Sequence, residues 1–316
     1  MRLVCCLLLC GCAATIPDDP EIPRLRIAFP KADSNWRSSF CGMCCAIPRG
    51  EGTRVFATGR TANGSVIGWM DFDADWNRVG ESPGAGLVPG QPGTHDCESV
   101  LMPCVVNCDD HLRMYYGAHG GGRFPGPSTC IGLAFSDDGG ATWRKHPMPI
   151  LSRDDTDPDG SSTPFVVRVA ADDWRMFYTS IRRYPNDTFR GQSRFAISRD
   201  GISWSKPANN VAMDRDGKST CSRPCVWKDR ELWRMVYSFA QAKTETAEGK
   251  HYHARMATSI DGLHFIDAVE LLAPSESGFD SQMVAYAFPI PERGIFLYSG
   301  NGFGAGGIGL AKLNLP

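Results

Sequence analysis

The sequence predicts an all-β fold: a five-bladed β-propeller of four-stranded antiparallel blades, about sixty residues each. Three observations predict it. The segments RVFAT (from Arg54), RMYYG (Arg113), RMFYT (Arg175), RMVYS (Arg234) and IFLYS (Ile295) begin 59, 62, 59 and 61 residues apart, so one unit recurs five times. Before each segment lies a proline-containing apolar run: CAIP, MPCVV, TPFVV, RPCVW and AFPI. After it, the middle copies pass through a further strand into SDDGGATW, SRDGISW and SIDGLHF, turns of the Asp-box pattern. In such a turn the carboxylate accepts backbone N–H bonds, glycine supplies positive φ and the aromatic packs between sheets.

Taken in chain order, residues 1–21 read as a leader or poorly ordered N-terminus, and 22–316 as a single propeller domain. The apolar run from Leu3 to Cys10 is too short to span a bilayer, so no transmembrane segment is expected. Of thirteen cysteines, four lie in the leader. The remaining odd number, several inside strand patterns, suggests reduced core thiols and favours the cytoplasm. Export, or lipoprotein attachment through the Met1–Cys12 leader, is the alternative. Next, LRIAF (Leu25 to Phe29) has no place in the first blade and is expected to close the ring as the outer strand of the last. Cys41, Cys44 and Cys45, like Cys221 and Cys225, lack paired zinc-ribbon spacing, so no metal is expected. Within DTDPDG, Asp155, Asp157, Asp159 and Gly160 begin like a calcium loop, but Val166 stands where the bidentate Glu belongs.

In the fifth copy, Gly302, Gly304 and Gly307 fit the dinucleotide spacing G-x-G-x-x-G. Only nine residues follow Gly307 here, too few for the helix and second strand such a site needs. The stretch therefore reads as a hairpin between the second and third strands of the blade, and no cofactor is expected. A net charge of −2 without long runs of one sign gives no bulk attraction for nucleic acid or an anionic membrane.

Alternate connections in an antiparallel blade lie on opposite faces of the disc. The Asp-box turns occupy one face; the turns between strands two and three, with the links entering each inner strand, occupy the other. That second face collects Arg60, His119, Arg123, Arg182, Arg183 and Asn301 from turns, and His95, Asp96, Glu98, the acidic DDTDPDG (Asp154 to Gly160), Arg223, Asp280 and Gln282 from links. Carboxylates, arginines and amides over one funnel suit a polyhydroxylated or acidic small molecule.

The stretches GTHDCESVLMPCVV, IGLAFSDDGGATW, SRPCVWKDRELWRMVYS and FDSQMVAYAFPI with LYSGNGFGAGGIGLA resemble the five-bladed propeller glycosidases, which include family 43 and family 32 enzymes. They are most similar to uncharacterised members linked to bacterial polysaccharide loci, and the likeness covers nearly everything from Ile22 onward. The resemblance implies a carbohydrate or activated-sugar ligand and carboxylate acid/base chemistry. Glycosidases of this kind usually carry an acid Glu just before a proline; here Met102, Thr163 and Arg223 precede the inner-strand prolines. Related sequences tend to have Glu where Gln282 stands. Asp96, Asp280 and Glu98 remain as catalytic candidates, with Asp96 and Asp280 as the pair. Arg60, His95, His119, Arg223, Gln282 and Asn301 are the expected substrate-binding residues. The competing expectations are a catalytically inactive carbohydrate-binding propeller and a scaffold subunit in polysaccharide synthesis. Sialidase chemistry, which uses six blades, fits five copies poorly.

Overall fold

A computed structural model of the chain describes residues 24–120, 129–184, 189–241, 251–313 and 315. The first strand, β1 (Leu25–Ala28), is held over for the last sheet. Blade one is β2 (Cys41–Arg49), β3 (Gly52–Thr61), β4 (Gly64–Phe72) and β5 (Arg78–Glu81). Blade two is β6 (Ser99–Asn107), β7 (Leu112–His119), β8 (Thr129–Ser136) and β9 (Arg144–Lys145). Blade three is β10 (Ser161–Ala170), β11 (Asp173–Arg183), β12 (Phe189–Ser198) and β13 (Val211–Met213). Blade four is β14 (Thr220–Asp229), β15 (Leu232–Ala240), β16 (His253–Ser259) and β17 (Ile266–Leu272). Blade five is β18 (Ala285–Ile290), β19 (Ile295–Ser299) and β20 (Ile308–Lys312), completed by β1 paired antiparallel to β20. The inner strands β2, β6, β10, β14 and β18 contact one another in turn, and β18 returns to β2. The five-bladed propeller is therefore as the repeat predicts, with its ring closed by the N-terminal strand. Among the described residues no helix is long and apolar enough to cross a membrane.

Every inner strand carries a bulge at the same place. Pairing with the second strand skips between Gly42 and Cys45, Leu101 and Cys104, Ser162 and Phe165, Ser222 and Cys225, and Ala285 and Phe288. The first skipped residue, Met43, Met102, Thr163, Arg223 or Tyr286, has φ between 50° and 56°. Such a φ is costly for residues other than glycine, so something must hold it. The last residue of the repeated segment supplies the hold across the blade seam. Met43 N–H donates to Ser299 Oγ at 2.7 Å, Met102 N–H to Thr58 Oγ1 at 2.9 Å, Arg223 N–H to Thr179 Oγ1 at 3.0 Å and Tyr286 N–H to Ser238 Oγ at 2.7 Å. Blade two has Gly117 at this position and no hydroxyl; there Thr163 Oγ1 instead meets Thr179 Oγ1 at 2.5 Å.

The first residue of the segment stitches the opposite face. Arg54 Nη1 donates to Gly139 O, Arg113 Nη1 to Asp200 O, and Arg175 Nη1 to Asp261 O, each a carbonyl in the Asp-box turn of the following blade. Asp138, Asp200 and Asp261 in turn accept backbone N–H bonds from two residues of their own turns. Blade one carries a cognate turn that its sequence disguises, in which Asp73 accepts from Asp75 and Asn77. Blade five has Ile295 in place of the arginine, and Arg293 reaches the first blade's turn at Ala74 O instead. The glycine-rich stretch does connect β19 to β20, with a 3-10 turn at Gly302–Gly304. A Cβ on Gly304 would lie 2.8 Å from Gly42 Cα, so two backbones touch there across the seam of blades five and one.

Ser299→Ala strands the buried N–H of Met43 at its bulge. A stability loss of about 1–3 kcal/mol is expected in urea unfolding, with a similar loss for Ser238→Ala at the next seam.

Candidate functional site

On the face opposite the Asp boxes, the channel mouth opens into a cavity of about 580 Å³ over blades one, two and five. Its walls come from the bulges (Met43, Tyr286), from strand ends and turns where the second and third strands meet in blades one, two and five (Arg60, Gly64, His119, Gly302, Phe303) and from the seam residues Thr58 and Ser99. Phe40, Tyr286 and Phe303 give it aromatic surface. Phe303 packs 5.7 Å from Tyr286 and 5.5 Å from Tyr252, centroid to centroid, and the Arg60 guanidinium lies 5.0 Å over the Phe40 ring. His119 is buried, and burial pushes its imidazole down to about 4, so it is neutral at physiological pH. No carboxylate lines the cavity among the described residues. Nor do three His, Cys, Asp or Glu side chains converge as metal ligands among them.

The cavity unites two of the expected binding residues, Arg60 and His119. Glu98 stands exposed beside it, next to Ser99, with its backbone N–H donating to His119 O at 2.9 Å. The other candidates are placed elsewhere. Asp96 is 1% exposed and Asp280 2% exposed. Asp96 accepts from Tyr116 Oη at 3.0 Å, Thr94 Oγ1 at 3.0 Å and Lys145 Nζ at 2.5 Å. Burial pushes its carboxyl up, but Lys145 and the two hydroxyls outweigh that and hold it below the usual carboxylate range. Asp280 accepts from Tyr298 Oη at 2.8 Å, Arg24 Nη1 at 3.1 Å and the Ser275 hydroxyl.

These two arrangements are copies of one device, which recurs in a blade where no catalytic role was expected. Asp157, fully buried, accepts from Tyr178 Oη at 2.8 Å and pairs with Lys206 Nζ at 2.7 Å. In blade four Tyr237 Oη donates at 2.6 Å to Asp267, which is also held by Arg255. Each tyrosine is the fourth residue of the repeated segment, so a tyrosine, an aspartate and a cation form a latch in four blades. Blade one has Ala57 there; Trp36 fills the space, and a buried Arg37 pairs with Glu81 at 2.6 and 2.8 Å. Asp96 and Asp280 are thus each enclosed by three donors.

Arg223 also departs from expectation. It is fully buried below the cavity, and its Nη2 spans the channel to Cys44 O at 2.9 Å and Pro103 O at 3.0 Å, tying blade four to blades one and two. Asn301 is tied to the link before the inner strand: its Oδ1 accepts from Gln282 N–H and Met283 N–H, and its Nδ2 donates to Gly278 O. The exposed Gln282 and half-buried His95 are absent from the cavity wall. Burial lowers the His95 imidazole pKa. Arg123 lies outside the described residues, as does the leader. Sequence reasoning missed the floor residues Met43 and Tyr286, whose signal was their alignment with Met102, Thr163 and Arg223.

Asp157→Asn, Asp96→Asn and Asp280→Asn should each cost about 1–3 kcal/mol in denaturant unfolding, since each weakens the acceptor of a buried tyrosine hydroxyl and leaves a partly exposed cation without its charged partner. A variant that kept full stability would remove its aspartate from the latch. For His119, the unfolded imidazole near 6.5 takes up a proton before the folded one near 4. Stability should therefore fall as pH drops from 6.5 to 4, by up to about 3 kcal/mol, and His119→Gln should flatten that part of the profile.

The family described as Glycosyl hydrolases family 32 N-terminal domain matches residues 105–283. Proteins of Mycobacterium tuberculosis strains CDC 1551 / Oshkosh and ATCC 25618 / H37Rv, both named as uncharacterized, are each 31% identical over 303 residues, covering 91% of this chain and 97% of theirs. Among solved structures, one titled Glycoside hydrolase aligns with a TM-score of 0.72 at 18% identity, covering 92% of both chains. A thermostable family-43 glycoside hydrolase aligns with a TM-score of 0.63 at 12% identity, covering 87% of this chain and 91% of that one. The structural likenesses bear on the fold; the match over blades two to four and the full-length relatives bear on descent. The chain belongs to the family of the glycosyl hydrolase family 32 N-terminal domain.

Proposed function

We propose that this glycosidase-like propeller binds a carbohydrate in the cavity over blades one, two and five. The observation that carries the reading is the cavity itself: about 580 Å³ at the channel mouth, with aromatic rings beside hydroxyls, an imidazole and a guanidinium. Phe40, Tyr286 and Phe303 offer apolar faces for sugar C–H groups, while Thr58, Ser99, His119 and Arg60 offer hydrogen bonds. Hydrolysis by the usual route needs two carboxylates flanking the scissile bond. Asp96 and Asp280 are occupied by their latches, which favours recognition of the sugar over its cleavage by that pair.

A hydrolytic reading rests on Glu98, the one exposed carboxylate of the three candidates, which stands at the rim beside His119. A glycan and aryl-glycoside screen, read by calorimetry for binding and by product formation for turnover, separates the two. Saturable binding without product on prolonged incubation supports recognition alone. Turnover that Glu98→Gln lowers by about a hundred-fold or more, with stability unchanged, supports an acid/base role for Glu98. Turnover lost in a fully folded Asp96→Asn would overturn the latch assignment, and absence of any sugar binding would overturn the proposal.

A further inference from the structure

The hydrogen-bonding balance of the cavity points to a more definite ligand class, an inference that rests on the carbohydrate reading. The hydroxyls on its wall are partly consumed by the fold. Thr58 Oγ1 accepts Met102 N–H at 2.9 Å, and Ser99 Oγ accepts Ser65 N–H at 3.2 Å. Each hydroxyl thus spends lone-pair capacity on the seam and keeps its O–H as a donor. Arg60 adds five further N–H donors. Its side chain is exposed at the mouth and is steadied by the Phe40 ring, 5.0 Å away.

Among the described residues no carboxylate lines the wall, which offers the hydroxyl donors of Thr58, Ser65 and Ser99, the guanidinium donors of Arg60 and one permanent positive charge. A neutral sugar brings hydroxyls that must donate as well as accept, and it offers the exposed Arg60 guanidinium no opposite charge. A sugar carrying an anionic group brings surplus acceptors and the opposite charge, and a guanidinium fork matches an oxyanion pair in geometry. We propose that the cavity selects an anionic sugar, with Arg60 gripping the acidic group and the Phe40, Tyr286 and Phe303 surfaces holding the ring.

Titration calorimetry with D-glucose, D-glucuronate and D-glucose 6-phosphate, at low and moderate salt, tests this. Wild type should bind at least one of the two anions about ten-fold or more tightly than glucose, with the advantage shrinking as salt rises. A preference for the uronate identifies a carboxylate as the favoured group, and one for the phosphate ester identifies a phosphate. Arg60→Gln should bring the ratio of anion to neutral affinity close to one. Arg199→Gln, which removes an exposed charge on the Asp-box face, should leave that ratio as in wild type. Glucose binding as tight as both anions, or Arg60→Gln weakening all three sugars equally, overturns the anionic preference while sparing the carbohydrate reading. Failure of all three sugars, extended to a panel of neutral and acidic glycans, overturns both.

Discussion

The structure depends on the seam between neighbouring blades, which is stitched at both ends by one five-residue segment. Its first residue, arginine in four copies, reaches in three of them to a backbone carbonyl of the next blade's Asp-box turn. Its last residue, Ser or Thr in four copies, receives the N–H of a residue in the next blade's inner strand. Two ties at opposite ends of a strand fix the tilt of one sheet on its neighbour as well as the distance between them. Each tie contributes only about 1 kcal/mol net. A ring nevertheless couples them, because loosening one seam shifts every sheet around the axis.

The fourth residue of the same segment explains why buried carboxylates recur in the links near the channel mouth. A tyrosine there points its hydroxyl toward the link that enters the inner strand, and buried hydroxyls need partners. Asp96, Asp157 and Asp280 meet that need, each with a lysine or arginine that offsets the buried charge. Blade four moves the carboxylate to its outer strand as Asp267 and keeps the tyrosine. The latch is thus a recurring solution to strand entry.

The fold was legible because its period is carried by strands, and strand periodicity survives in apolar spacing. The face on which each loop lies was legible too, since antiparallel order alone sorts the connections; Arg60 and His119 duly share the cavity. Partnership was harder to read. Nothing around Asp96 in the sequence names Tyr116 or Lys145, but aligning the five copies places Tyr116, Tyr178, Tyr237 and Tyr298 in register and Asp157 beside the same position. The sequence places Arg223 in a link among the expected substrate-binding residues; the bulge turns it inward, where it meets carbonyls from two other blades. A bulge changes side-chain direction without changing the apolar pattern, which is why the cavity floor was invisible.

The bulges also connect strain to the site. Five non-glycine residues at φ of 50–56° are an unusual concentration of disfavoured backbone. An unbroken inner strand would alternate its side chains between the two flanking blades. The extra residue breaks that alternation and turns one side chain per blade toward the axis. Met43 and Tyr286 reach the cavity in this way, and Met102, Thr163 and Tyr286 line a smaller space of about 30 Å³ beside it. Arg223, by the same turn, closes the channel underneath. The seam hydroxyls therefore do two things with one hydrogen bond. They hold the strained residue in place, and by accepting its N–H they leave Thr58 an O–H donor at the cavity wall. The donor-rich character of the site follows from how the ring is fastened, so the chemistry a ligand meets at the mouth is set by the same bonds that keep the blades together.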